Sequence, residues 1–200
     1  MLKRIKDKLI ILGTGPSLTT DGFRCNDSSY EIWGLNNVYD TLTYRNLEIK
    51  ADRWFEIHQI DKIKNTYFRR GVQFWGMGSV KKHLERLRDL DISIIAHRWI
   101  PIIPKSIPYP FMEVFDAFEY PYFTCTMCWQ LALVILMKYK EVFLIGIDLM
   151  DYWERRYQKA AVEYWLGLAQ GGGIKVRVSL ESGLLKGPYL YGFERINRYE

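Results

Sequence analysis

Short apolar runs separated by stretches with helical periodicity are what most limit the fold of this chain. The runs fall at Lys8–Leu12, Glu31–Leu35, Arg53–His58, Ile92–Ala96, Glu141–Ile145 and Ile174–Val178. Before the fourth run, Val80, Leu84, Leu87 and Leu90 share one helical face while Lys81, Lys82, Glu85, Arg86 and Arg88 fall elsewhere, the pattern of a helix lying on a sheet. Thr126 to Tyr139 reads as a helix that is apolar nearly all round, either a core element or a contact in an oligomer. Gln158–Gln170 reads as another, stopping at Gly171-Gly172-Gly173, where glycine lets the chain leave a helix. Strands alternating with helices predict an α/β fold with a doubly wound, mostly parallel sheet. With 200 residues, 48% of them hydrophobic, one core and a single domain over 1–200 are expected.

The interval 99–122 breaks this rhythm. It holds Pro101, Pro104, Pro108, Pro110 and Pro121 out of seven prolines in the chain, with one short helical pattern at Met112–Phe118. A stretch this long with few element signals is usually functional or a packed surface excursion. It is read as a wall or lid of a site.

The residues that follow each run carry the functional signal, because ligands of open α/β sheets sit outside the carboxyl ends of the strands. The first run ends in Gly13-Thr14-Gly15-Pro16-Ser17. Glycines there let backbone N–H groups approach an anion, which points to a nucleotide phosphate. A tight strand-to-helix turn with Pro16 at the first helical position accounts for the same residues. Asn36 and Asn37 follow the second run and suit the edge of a base or ribose hydroxyls, or simply a turn. His58 and Gln59 end the third run, and imidazole is the usual proton carrier near neutral pH. Gly146-Ile147-Asp148 follows Glu141–Ile145, where Asp148 can hold a ribose, ligate a metal or act as a base. Thr124 and Thr126 stand at the start of the apolar helix, where hydroxyls cap free N–H groups or help them hold a phosphate. No Asp-x-Asp pair follows any of these runs, so a metal-independent site is expected.

A formal charge of +5 and a pI near 9.0 suit an anionic partner such as a nucleotide, a nucleic acid or an anionic membrane surface. The longest apolar run, Leu131 to Met137, is far short of a membrane span, and the basic opening Met1 to Lys6 leads straight into the first strand rather than into a signal peptide. Cys25, Cys125 and Cys128 cannot all pair, which points to a reducing, cytoplasmic compartment. Cys125-Thr126-Met127-Cys128 has the spacing of a redox or zinc half-motif. No second cysteine pair accompanies it, and buried free thiols are the plainer reading.

Taken in order, these pieces resemble the bacterial sialyltransferase family that decorates lipooligosaccharide. They are also similar to a related set of phage and prokaryotic proteins that includes pterin-pyrophosphokinase-like enzymes. The matching stretches are Ile11 to Leu18, Gly34-Leu35-Asn36-Asn37, and the block from Phe123 through Asp148. Asp52 to His58 and Leu184 to Glu194 look most like the tailed-phage branch. The resemblance implies a Rossmann-like sheet of the sialyltransferase variety. It also implies a nucleotide-sugar donor held by Gly13, Thr14, Gly15, Ser17, Asn36, Thr124 and Thr126, with Tyr152 and Tyr157 stabilising the departing phosphate. Three departures stand out. Thr14 replaces the family's Asn, Leu149-Met150-Asp151-Tyr152 shifts the first tyrosine, and the lid that carries the family's base histidine has no obvious counterpart.

The expectation is a metal-independent glycosyltransferase using a CMP-, UDP- or GDP-linked sugar. His58 is the leading base, Asp148 the second, and Asn37 joins Asn36 in reading base or ribose. The acceptor is a hydroxyl, on a hydroxymethylated phage DNA base or on a glycan, and a phage-encoded protein would work in the host cytoplasm. The rival expectations are an ATP- and magnesium-dependent pyrophosphokinase using Asp148 and Asp151, and a non-catalytic nucleotide-binding accessory protein.

Overall fold

Parallel strands covered on both faces read as unbroken apolar runs, and Leu9–Leu12 and Val142–Ile145 of this protein do so. The computed structural model describes residues 2–59, 80–150, 154–187 and 189–192. Its strands are β1 (Lys8–Leu12), β2 (Tyr30–Leu35), β3 (Arg53–Glu56), β4 (Ser93–Ala96), β5 (Ser106–Pro108), β6 (Glu141–Ile145) and β7 (Lys175–Val178). They form one seven-stranded sheet in the order β5-β4-β3-β2-β1-β6-β7, and every neighbouring pair is parallel. All carboxyl ends therefore share one edge, and the strand order reverses between β1 and β6.

The helices are α1 (Ser17–Asp21), α2 (Val38–Tyr44), α3 (Val80–Asp89), α4 (Phe111–Ala117), α5 (Thr126–Leu136) and α6 (Ala160–Gly171). A 3-10 turn, Gly22–Asn26, extends α1, and a π-helical turn, Glu154–Lys159, leads into α6. Alternate residues of β3 serve opposite layers, as the two-residue strand period requires. Trp54 meets Tyr39 of α2 and Glu56 meets His83 of α3, whereas Phe55 packs on Trp33, which in turn contacts Tyr139 beyond α5. Helix α5 packs between α4 and α6 and buries Cys128, Leu131, Ala132, Leu133 and Val134, so it is a core element.

The structure adds β5 inside the proline-rich interval, where the sequence pattern predicts no strand. Pro108 ends it, and it pairs only with β4, at the sheet edge where a missing N–H costs no ladder bond. Strand β3 stops at Glu56, so His58 lies two residues beyond it in a loop. At the opposite, amino edge of the sheet, the buried Glu31 carboxylate accepts from Trp33 Nε1 (2.7 Å), Tyr139 OH (2.6 Å) and the Ile5 amide (2.7 Å) and pairs with Arg53 Nε (3.2 Å).

Candidate active site

Two loops meet where the strand order reverses. The Gly13 amide donates to Ile145 O (2.8 Å) and the Gly15 amide to Gly146 O (2.7 Å). The Ser17 amide donates to Asp148 Oδ2 (2.9 Å), its hydroxyl donates to Asp148 Oδ1, and the Gly146 amide donates back to Ser17 Oγ (2.8 Å). A Cβ on Gly13 would stand 2.2 Å from Gly146 O, and one on Gly15 2.4 Å from Asp148 Oδ2. Loop-to-loop contact thus accounts for the glycines, with their amides and that of Ser17 spent inside the fold. This differs from the phosphate cradle that the glycine spacing suggests. Asp148 is 4% exposed and acts as the clasp between the loops, so its two oxygens are engaged by Ser17. Thr14 and Pro16 of the glycine loop are exposed.

Beside the clasp, the Arg45 guanidinium donates to the carbonyls of Gly15 (2.8 Å) and Thr14 (3.2 Å). Asn36 sits in the left-handed region (φ 46°), which asparagine tolerates. Its amide donates to Phe55 O (2.9 Å) and its carbonyl accepts from Trp54 Nε1 (2.9 Å). Its side-chain Oδ1 accepts from Thr126 Oγ1 (3.1 Å). The predicted partners Asn36 and Thr126 are therefore joined, and the start of α5 opens next to the end of β2. Thr126 does not cap α5 as expected, since Cys125 holds the N-cap position without a side-chain capping bond. Thr124 is exposed one residue before it. Asn37 is half-buried at the N-cap position of α2.

One strand further along the edge, the chain's three histidines converge. Glu56, fully buried, accepts from His58 Nδ1 at Oε1 (2.5 Å) and from His83 Nε2 at Oε2 (2.7 Å). Tyr39 OH donates to His83 Nδ1 behind them. Burial raises the Glu56 pKa, but the two imidazole hydrogen bonds outweigh it and hold the carboxyl down at about 2. Burial alone would keep His58 neutral. The hydrogen bond and charge of Glu56 instead raise its pKa above the ordinary 6.5. A carboxylate on Nδ1 fixes the tautomer and leaves Nε2 as the proton acceptor. His58 also lines a cavity of about 340 Å³ together with Gln59, His97, Trp99, Ile100 and Ile102. Part of the proline-rich interval thus lines this cavity beside the histidine. Gln59 Nε2 donates to His97 Nε2 (3.1 Å).

Tyr157 is 48% exposed on the π-helical turn, with the Arg156 guanidinium over its ring at 5.4 Å. Tyr152 and Asp151 lie outside the described residues. The residues that sequence reasoning misses are Arg45, Glu56, Tyr39, His83 and His97. His83 had a legible signal, since it lies three residues after Val80 and four before Leu87 on the buried face of α3. Arg45 had none, because it sits at the end of a short helix with no motif around it.

Two solved structures resemble this fold. One is an α-2,3-sialyltransferase from Campylobacter jejuni in apo form, with TM-score 0.56 and 17% identity over 92% of this chain and 82% of that one. The other is the sialyltransferase CstII of Campylobacter jejuni in complex with a substrate analogue, cytidine-5′-monophosphate, with TM-score 0.53 and 19% identity over 90% of this chain and 85% of that one. Neither a protein-family model nor a curated protein matches the chain. The chain therefore has a sialyltransferase-like α/β fold, and its likeness to the tailed-phage branch rests on the sequence stretches alone. No helix among the described residues is long and apolar enough to cross a membrane.

Proposed function

We propose that this protein is a glycosyltransferase that takes a cytidine-type nucleotide sugar and passes the sugar to a hydroxyl acceptor without a metal ion. The observation that carries the reading is the His58–Glu56 pair at the mouth of a cavity, one strand from the joined Asn36 and Thr126. The cytidine-5′-monophosphate complex of the similar fold supports the choice of donor.

In this reading the nucleotide lies over Asn36, Asn37, Thr124 and Thr126, with Thr14 and Arg45 facing its phosphate. The acceptor enters the cavity beside His58. As the acceptor oxygen bonds to the anomeric carbon, His58 Nε2 takes its proton and Glu56 stabilises the imidazolium that forms. The bond from that carbon to the phosphate oxygen breaks, and its electron pair leaves with the nucleotide. Arg45, the N–H groups at the start of α5, and Tyr152 and Tyr157 supply positive potential and hydrogen bonds to the departing phosphate. Asp148, with its oxygens on Ser17, positions the loop and is not the base.

The test is transfer from CMP-, UDP- and GDP-linked sugars to saccharides and to hydroxymethylated DNA, with and without chelator. Transfer from a CMP-sugar that survives chelation is expected. Loss with chelator, or turnover only with ATP and magnesium, overturns the reading. A DNA acceptor announces itself by salt, since each phosphate contact steepens the fall of affinity with ionic strength; a saccharide acceptor shows no such slope.

A further inference from the structure

The proposed transfer makes no use of Cys125-Thr126-Met127-Cys128, yet the structure gives this stretch a geometry that inert core thiols do not need. Cys125 holds the N-cap of α5 with extended backbone (φ −159°, ψ 168°), and Cys128 follows in the first turn. Residues three apart face each other at a helix start, and the two sulfurs stand 3.6 Å apart. A disulfide closes such a gap to about 2 Å.

The two thiols are unlike. Cys125 is partly exposed and Cys128 is 0% exposed. The hydrogen bond from Cys125 and the backbone groups of Thr124 and Cys125 bring Cys128 down to about 7 against the effect of burial. Cys25 is the contrasting case, since it has no sulfur neighbour among the described residues and burial pushes it up to about 12.

We propose that Cys125 and Cys128 form a thiol–disulfide exchange site, Cys125 being the sulfur that meets an external low-molecular-weight disulfide and Cys128 the resolving thiol. Cys128 is the thiolate of the pair and Cys125 the thiol that donates to it, so as Cys125 attacks, its proton passes across the contact to Cys128. One sulfur of the external disulfide bonds to Cys125, and the other leaves as a thiolate. Cys128 gives that proton to the departing thiolate, attacks Cys125 Sγ and expels the second external thiolate. Two protein thiols are oxidised, one external disulfide is reduced to two thiols, and the two cysteine protons end on those thiols. Partial exposure on one side and a buried, acidified partner on the other suit this order of events.

The experiment is to equilibrate the full chain in buffers of oxidised and reduced glutathione, alkylate the remaining thiols and weigh the intact protein. In oxidising buffer the wild type is expected to lose two alkylatable thiols and two hydrogens, with peptide mapping linking Cys125 to Cys128 and Cys25 still free. The change reverses in reduced glutathione. Cys128→Ala is expected to stop at one glutathione on Cys125, and Cys125→Ser to take none on Cys128. Three alkylatable thiols in the oxidised wild type overturn the proposal whatever the variants do. Glutathione on Cys25 as readily as on Cys125 overturns it too.

Discussion

His58 must be neutral to accept a proton, and Glu56 holds its pKa above 6.5, so activity is expected to rise with pH through a midpoint above 6.5. A pH–rate profile checks this directly. His58→Ala is expected to lower kcat by about 100-fold or more, the usual worth of a positioned base. Glu56→Gln is expected to move the midpoint down, because burial then dominates the imidazole. Stability follows the same pair with the signs separated. Glu56, depressed from 4.5 to about 2, contributes above pH 4.5 and loses that contribution as the pH falls toward 2. His58, raised, contributes below pH 6.5 and loses its share as the pH climbs through its folded value. The melting-temperature gap between wild type and Glu56→Gln should therefore be widest between about pH 4.5 and 6.5. His58 itself was legible as the polar end of an aromatic strand. Glu56 was not, because a carboxylate inside Trp-Phe-Glu-Ile reads as an ordinary strand residue until a helix distant in sequence brings His83 against it.

Elements explain which predictions from pattern succeeded. The boundaries of β1 and β6 match the apolar runs Lys8–Leu12 and Glu141–Ile145 because both strands are covered on both faces and nothing polar interrupts them. β5 escaped notice because three residues ending in proline carry no period. The start of α5 was legible as a helix terminus, but its use was not: the Thr126 hydroxyl crosses to Asn36 on another element instead of capping its own helix. Thr126→Val removes that crossing bond. A neutral hydrogen bond is worth roughly 0.5–1.5 kcal/mol, so the ligand-free protein should melt about 1–6 °C lower, and calorimetry should find cytidine monophosphate binding weakened because Asn36 has lost the hydroxyl that fixes it. The amino edge of the same strands predicts a separation of the two effects. Glu31→Leu leaves Arg53, 8% exposed, without its carboxylate, and breaking such a pair costs about 3–5 kcal/mol. Urea unfolding should show that loss, while nucleotide affinity measured well below the transition stays near wild type.

At the scale of the molecule, the parallel sheet puts the proposed donor and acceptor regions on one edge and the charge network of Glu31 on the other. Arg45 reaches the glycine loop from the end of α2, Thr126 reaches β2 from α5, and His58 draws on α3 through Glu56, so the proposed site depends on elements from across the chain. A nucleotide that bridges them binds only the folded state and must raise the melting temperature by mass action. At a concentration 100 times its dissociation constant the gain is about 2.7 kcal/mol. For a domain of this size each kcal/mol moves the midpoint by about 2–4 °C. Cytidine monophosphate is therefore expected to raise the midpoint by about 5–11 °C, and equally in the presence of chelator, because the groups proposed to face its phosphate are Arg45, Thr14 and the start of α5. Uridine and guanosine diphosphates should give smaller shifts at equal concentration, since the proposed donor carries one phosphate beside Arg45. A shift that appears only for ATP with magnesium would place the anion elsewhere on the edge and transfer the catalytic assignment away from His58. The Thr126→Val protein supplies the internal comparison, for its nucleotide-induced shift must shrink beyond the fall of about 1–6 °C in its ligand-free midpoint that the lost hydrogen bond causes.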